Sequence, residues 1–280
     1  MKNVLIPTDF SKNSLNAVEY ALNFFENLTC NFYFLHVVRR EDLDGGEALV
    51  LSSTDVVEKV YLNPSIKKLK NIVQKLRITN NNKKHRLFTL IDCDYFVDSV
   101  RKHINEKQID FIVMGTRGAS GIKKMLVGSN TADVITKVKC TTLVIPENAK
   151  FKIPKEIVFP SDFSSSYAVE SLDPLLEILK RFNSKIGILY VKNKKNEQLT
   201  YQQITNREFL IDYFSETELS FHYSTNKYLG DGIECFTNSR EIQIITMVAK
   251  NLNYFHQILF RPTVEEVTYQ TELPFLILHE

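Results

Sequence analysis

The residues best suited to chemistry lie in one stretch, Met114 to Asn130, which reads MGTRGASGIKKMLVGSN. The chain has 9 glycines, and four of them, Gly115, Gly118, Gly121 and Gly128, fall inside it. Glycine lets a backbone turn tightly and brings its N–H groups up to an anion with no Cβ in the way. A helix that follows adds unpaired N–H groups and the positive end of its dipole. Gly115 and Gly118 come just after an apolar run, and Gly128-Ser129 comes just before a segment of helical pattern. Two such glycine points could clasp a phosphate chain from two sides. The pattern is neither a P-loop, since no Gly-Lys-Ser or Gly-Lys-Thr follows, nor GxGxxG. The same glycines would also suit a tight turn with a loop, in which Gly121 is spacing.

Elements with an α/β rhythm must position this stretch. NVLIPT reads as a buried strand, with Ser11 as N-cap of a helix that presents Val18, Ala21, Leu22 and Phe25 on one face. NFYFLHVV is a second strand, in which His36 reads as a packed residue. A helix is expected around Val56 to Lys75, broken near Pro64. Arg86 to Ile91 is a strand, Asp94 to Ile104 a helix, and Asp110 to Met114 a strand. Ser129 to Val138 is a helix and Thr141 to Pro146 the last strand of the set.

The chain then repeats itself. Pro7-Thr8-Asp9-Phe10-Ser11 matches Pro160-Ser161-Asp162-Phe163-Ser164, and Met114 matches Met247 with no gap from there to the end. From Asp9 to Met114 is 105 residues, against 85 from Asp162 to Met247, so the first copy carries extra length, placed around Arg39 to Leu62. Both ends match in order, which marks a duplication. Two domains follow, 1–148 and 154–280, joined by a short polar linker. The second copy repeats the order, with helices expected from Ser164, Gln198 and Ile233, and one more before the last strand, PFLILH. Strands separated by helices imply parallel sheets with right-handed crossovers, hence two doubly wound α/β domains.

Composition narrows the class. With 44% hydrophobic and 24% charged residues the chain reads as globular, and a net charge of +2 leaves no nucleic-acid footprint. No apolar run approaches the ~20 residues of a membrane span, and the N-terminal apolar run is too short for a signal peptide, so a cytoplasmic protein is expected. The four cysteines form no CxxC pair, which speaks against zinc and against a disulfide framework. The sequence places no base, metal cluster or nucleophile, so at most weak hydrolysis is expected of it.

Gly115-x-x-Gly118, nine residues, then Gly128-Ser129, with the opening PTDFS and the strand FLHVV, resembles the universal stress protein family over the whole chain, as a tandem of two such domains. The resemblance implies a sheet in the order 3-2-1-4-5 and, where the motif is complete, binding of ATP or a related adenine nucleotide such as AMP. Strands one and four are then neighbours whose connections leave toward opposite sides, which opens a ligand crevice at their carboxyl ends. Carried over residue by residue, Pro7, Thr8 and Asp9 line the base and ribose side, and Val37 meets adenine through its backbone. Met114, Gly115, Arg117, Gly118, Gly128, Ser129, Asn130 and Thr131 surround ribose and phosphates. Asp9 contacts the ribose or a magnesium ion, or else caps the helix with Ser11. Arg117 pairs with phosphate or extends into solvent. In the second copy the gapless match turns Gly115, Gly118, Gly128 and Ser129 into Val248, Asn251, Arg261 and Pro262, so that copy is expected to bind no nucleotide. Members of the family also pair through the fifth strand, which implies Thr141 to Pro146 against Pro274 to His279 within one chain and leaves room for a homodimer. The leading function is a nucleotide-binding regulator of a stress response. The alternatives are a slow ATPase and an interaction protein without ligand.

Overall fold

The structure, a computed structural model, describes residues 1–39, 62–116, 128–192, 198–249 and 272–280. By residue contacts the described chain divides into two compact units, one ending at residue 140 and the other starting at 141.

The first unit opens with β1 (Lys2–Pro7), followed by α1 (Lys12–Phe24) and β2 (Cys30–Arg39). After it come α2 (Asn63–Thr79), β3 (His85–Asp94), α3 (Phe96–Lys107), β4 (Phe111–Gly115) and α4 (Ser129–Lys137). The strands lie in the order β3-β2-β1-β4, all parallel. Val4, Leu5 and Ile6 are each 0% exposed, without alternation, because helices cover both faces of the sheet. On one face Leu5, Leu35, Ile112 and Met114 pack with Val100 of α3 and with Val134 and Val138 around α4. The opposite face carries the ring contacts of Phe25 with Phe32 and Phe111. The predicted α1 stripe, Val18, Ala21, Leu22 and Phe25, is buried throughout.

The second unit begins with β5 (Thr142–Ile145) and continues through β6 (Glu156–Pro160), α5 (Val169–Phe182), β7 (Lys185–Lys192) and α6 (Tyr201–Tyr213). It closes with β8 (Glu218–Thr225), α7 (Leu229–Asn238), β9 (Ile244–Val248) and β10 (Phe275–Leu278). From β8 through β7, β6 and β9 to β10 the strands are parallel. That is the expected 3-2-1-4-5 order in full, and the first unit shows its first four strands. β5 pairs antiparallel with β10, Val144 opposite Phe275 and Thr142 opposite Ile277, as expected of the two last strands.

Several helix boundaries differ from expectation, α6 starting at Tyr201 rather than Gln198 and α3 running Phe96–Lys107 rather than Asp94 to Ile104. Pro64 does not break α2 but sits in its first turn, where its missing N–H costs no bond. α5 starts at Val169 rather than Ser164, because Asp162 Oδ1 accepts from both the N–H and the hydroxyl of Ser164, at 3.0 and 2.7 Å, and holds a turn there. α7 starts at Leu229, a turn ahead of Ile233. The expected extra segment of the first copy and the helix before PFLILH lie largely or wholly outside the described residues.

Candidate functional site

β1 ends at Pro7, and the next three residues form a self-bonded turn. Phe10 has φ 65°, a left-handed conformation unusual for a bulky residue. Thr8 Oγ1 accepts the Phe10 N–H at 3.1 Å, and Asp9 Oδ1 accepts the Ser11 N–H at 3.0 Å. Thr8, 7% exposed, also shares a hydroxyl–hydroxyl bond of 3.0 Å with Ser14. The second copy repeats the device: Phe163 has φ 57°, and Ser161 Oγ accepts its N–H at 3.0 Å. The Pro-Thr-Asp-Phe-Ser motif is therefore first a turn that swings the chain off the sheet, and Asp9 does cap that turn.

The turn leaves β2 running on past β1, still paired with β3 on its other side. The β1–β2 register ends with Pro7 opposite Leu35, while β2 continues to Arg39. The Leu35 carbonyl still accepts the Thr8 N–H at 2.8 Å, so Leu35 points its polar groups toward β1. Residues two apart in a strand point the same way, so Val37 turns its N–H and C=O toward the place β1 has vacated. The Thr8 carbonyl accepts instead from His36 Nδ1 at 2.8 Å, which makes Nδ1 the protonated ring nitrogen. The His36 and Phe10 ring centroids lie 4.3 Å apart, and Lys68 Nζ stands 4.4 Å from the Phe10 centroid. Burial lowers the His36 pKa below its ordinary value; the Thr8 bond and Asp9 oppose this, and Lys68 adds to it.

Across the crevice, β4 ends at Gly115. A Cβ there would lie 2.8 Å from Asn13 Cγ and Oδ1, so any side chain at this position would force the Asn13 carboxamide in α1 to move. The Gly128 N–H donates to the Thr116 carbonyl at 2.6 Å and ties the start of α4 to the end of β4. The Thr131 hydroxyl adds a bond to the Gly115 carbonyl at 2.8 Å. Gly128 is the N-cap with φ −70°, open to any residue. Its N–H is engaged, and the first intrahelical bond runs from Ala132 to Gly128. The N–H groups of Ser129, Asn130 and Thr131 precede that bond at the positive end of the α4 dipole, and the first turn holds no acidic side chain. Met114 is 5% exposed and belongs to the core rather than to the crevice wall. Arg117 and Gly118 lie outside the described residues, as do Asn251, Arg261 and Pro262.

Asn13, Ser14, His36 and Lys68 were not among the sequence candidates for the site. The internal repeat held one usable signal: Gly115, the neighbour of Asn13, corresponds to Val248. In the second copy Val248 is buried at the end of β9, and side chains of α6 bond the carbonyls of the turn. Gln203 Nε2 donates to the Asp162 carbonyl and Asn206 Nδ2 to that of Phe163, each at 2.7 Å. Tyr167 bonds Ser161 Oγ at 2.7 Å, and burial pushes its phenol up to about 12. Over the strand corresponding to β2, α7 comes so close that a Cβ on Gly232 would meet Val191 Cγ1 at 2.6 Å. Among the described residues no group of three or more His, Cys, Asp or Glu side chains is placed to hold a metal ion, and no helix is long and apolar enough to cross a membrane.

An open, doubly wound α/β sheet with a crevice at its switch point defines the class. The family model of the universal stress protein family matches residues 1–146. The chain belongs to that family. A universal stress protein of Methanocaldococcus jannaschii is 26% identical over 152 residues, covering 53% of this chain and 84% of that one. One of Bacillus subtilis is 27% identical over 151 residues, covering 51% and 97%. Among solved structures, a universal stress protein from Archaeoglobus fulgidus aligns over 98% of this chain and 97% of its own, with TM-score 0.65 and 17% identity. At that identity the likeness speaks for the fold, here along the whole chain.

Proposed function

We propose that the first copy binds an adenine nucleotide, ATP or AMP, and that the chain acts through this ligand as a regulator in a stress response. The observation that carries the reading is the overhang of β2: Val37 presents a donor and an acceptor side by side toward the crevice. That pair complements the adenine edge, where a ring nitrogen accepts and the amino group donates. Across the crevice the first turn of α4 supplies N–H groups for phosphate, and Gly115 brings the backbone close. Asp9, at the mouth, is the carboxylate that would meet a ribose hydroxyl or a magnesium ion carried by the nucleotide. Arg117 and Gly118 complete the site by the family signature.

The test is direct. The chain is purified under native conditions and denatured, and the released small molecules are read by mass spectrometry. An adenine nucleotide at near-stoichiometric amount is expected, and titration of ligand-free protein should show ATP or AMP binding. Absence of both would leave a protein that works through its surface alone. Phosphate release faster than from an Asp9→Ala variant would move the reading to a slow ATPase.

A further inference from the structure

The first turn of α1 meets the end of β4 at one buried polar contact. Asn13 is 5% exposed, an unusual place for an asparagine. Its carboxamide lies against Gly115, in the space a Cβ would take. Nδ2 donates to Thr116 Oγ1 across 3.4 Å. The Thr116 carbonyl accepts the Gly128 N–H, and the Gly115 carbonyl accepts the Thr131 hydroxyl. A continuous path of contacts therefore runs from Asn13, in the first turn of α1, to the first turn of α4.

We propose that Asn13 is a positioning residue of the nucleotide site: it sets the first turn of α4 at the depth where its N–H groups meet phosphate. The inference rests on the nucleotide reading above. The second copy supports it from within the chain. There Val248 and Ala249 stand where the first copy has Gly115 and Thr116. The glycine and the hydroxyl are replaced together, and the bond to Thr116 Oγ1 has no counterpart at Ala249. The helix after the turn also starts later there, at Val169, so no side chain takes the place of Asn13 one turn into a helix that follows the serine directly.

A purely structural role would weaken every ligand alike, whereas a role at α4 should be felt by phosphate alone. The full-length chain is titrated with ATP and with adenosine. Asn13→Ser should weaken ATP by about fivefold, the net worth of one hydrogen bond, and leave adenosine within about twofold. Thr116→Val removes the acceptor of the same bond and should give the same ATP-selective loss, which covers the case of a poorly folding Asn13 variant. Gly115→Val should lower the melting temperature, and adding Asn13→Ser should restore part of it. Equal losses for both ligands, or unchanged ATP affinity in both single variants, would overturn the inference and leave the nucleotide reading standing. A wild-type chain that binds neither ligand would overturn both.

Discussion

At the scale of single residues, the turn after β1 depends on hydroxyls and on a neutral histidine. Thr8→Val keeps the shape but removes the acceptor for the Phe10 N–H and the partner of Ser14. A buried donor left without its bond costs about 1–3 kcal/mol, so urea unfolding should show a loss of that size, and Thr8→Ser should recover it. An unchanged midpoint in Thr8→Val would mean that the left-handed Phe10 needs no support from Thr8. His36, His85 and His222 all have pKa values lowered chiefly by burial. Asp9 and Lys68 face the first, Glu26 and Lys84 the second, and Arg240 and Glu156 the third. Below the usual histidine value of about 6.5 the unfolded chain takes up these protons before the folded one does. Stability should therefore hold above that pH, fall as pH drops through the interval to the folded values, and level off below them. His36→Gln should reduce the slope; a stability that is flat or rises on acidification would contradict the burial of all three rings.

At the scale of elements, β5 and β10 offer the sharpest test. The Ile245 and Ala249 N–H groups bond the carbonyls of Pro274 and Leu278, so alternate residues of β10 face β9. Phe275 and Ile277 then face β5, which makes Val144 opposite Phe275 a hydrogen-bonded pair. Val144→Pro should delete a ladder bond in a fully buried strand and cost about 3 kcal/mol or more, while Val144→Ile should be tolerated. Fast amide exchange at Phe275 and Ile277 in the wild type would show that the ladder does not form in solution. This pairing and the strand order were implied by the family resemblance, not by composition. The packed face of α1 was legible in the residues themselves, since apolar periodicity reports burial directly. The start of α5 was not legible, because Ser164 can cap a helix or close a turn, and the carboxylate of Asp162 decides. Nor was the contact at Gly115. The spacing pointed to phosphate, and the carboxamide that a side chain there would displace belongs to Asn13, remote in sequence. Val37 was marked by resemblance alone, since which way a backbone faces depends on where the neighbouring strand stops.

At the scale of the whole molecule, duplication has left two turns of the same shape in unlike surroundings. Phe10 and Phe163 adopt the same left-handed conformation, so the fold device survives in both copies. The surroundings differ. The second strand outruns the first in both copies, past Leu35 and past Leu189, but in the first copy a glycine ends β4. In the second, α6 side chains bond the carbonyls of the turn, Tyr167 fills the place beside Ser161, α7 presses on Val191, and valine ends β9. Clearing that space would require moving several buried groups at once, each costing on the order of 1 kcal/mol or more, which exceeds what a weakly held nucleotide could offset. Arg261 adds a positive charge to the second copy, but a charge on a long side chain does not replace a set of oriented N–H groups. We expect one nucleotide per chain, in the first copy. Titration calorimetry on ligand-free protein should give a stoichiometry near one. Gly118→Asn with Gly128→Arg, which imports second-copy residues, should abolish binding while circular dichroism stays unchanged. A stoichiometry of two, or protection of Asp162 and Tyr167 from amide exchange on adding nucleotide, would mean that the second copy opens to admit a ligand by a different route.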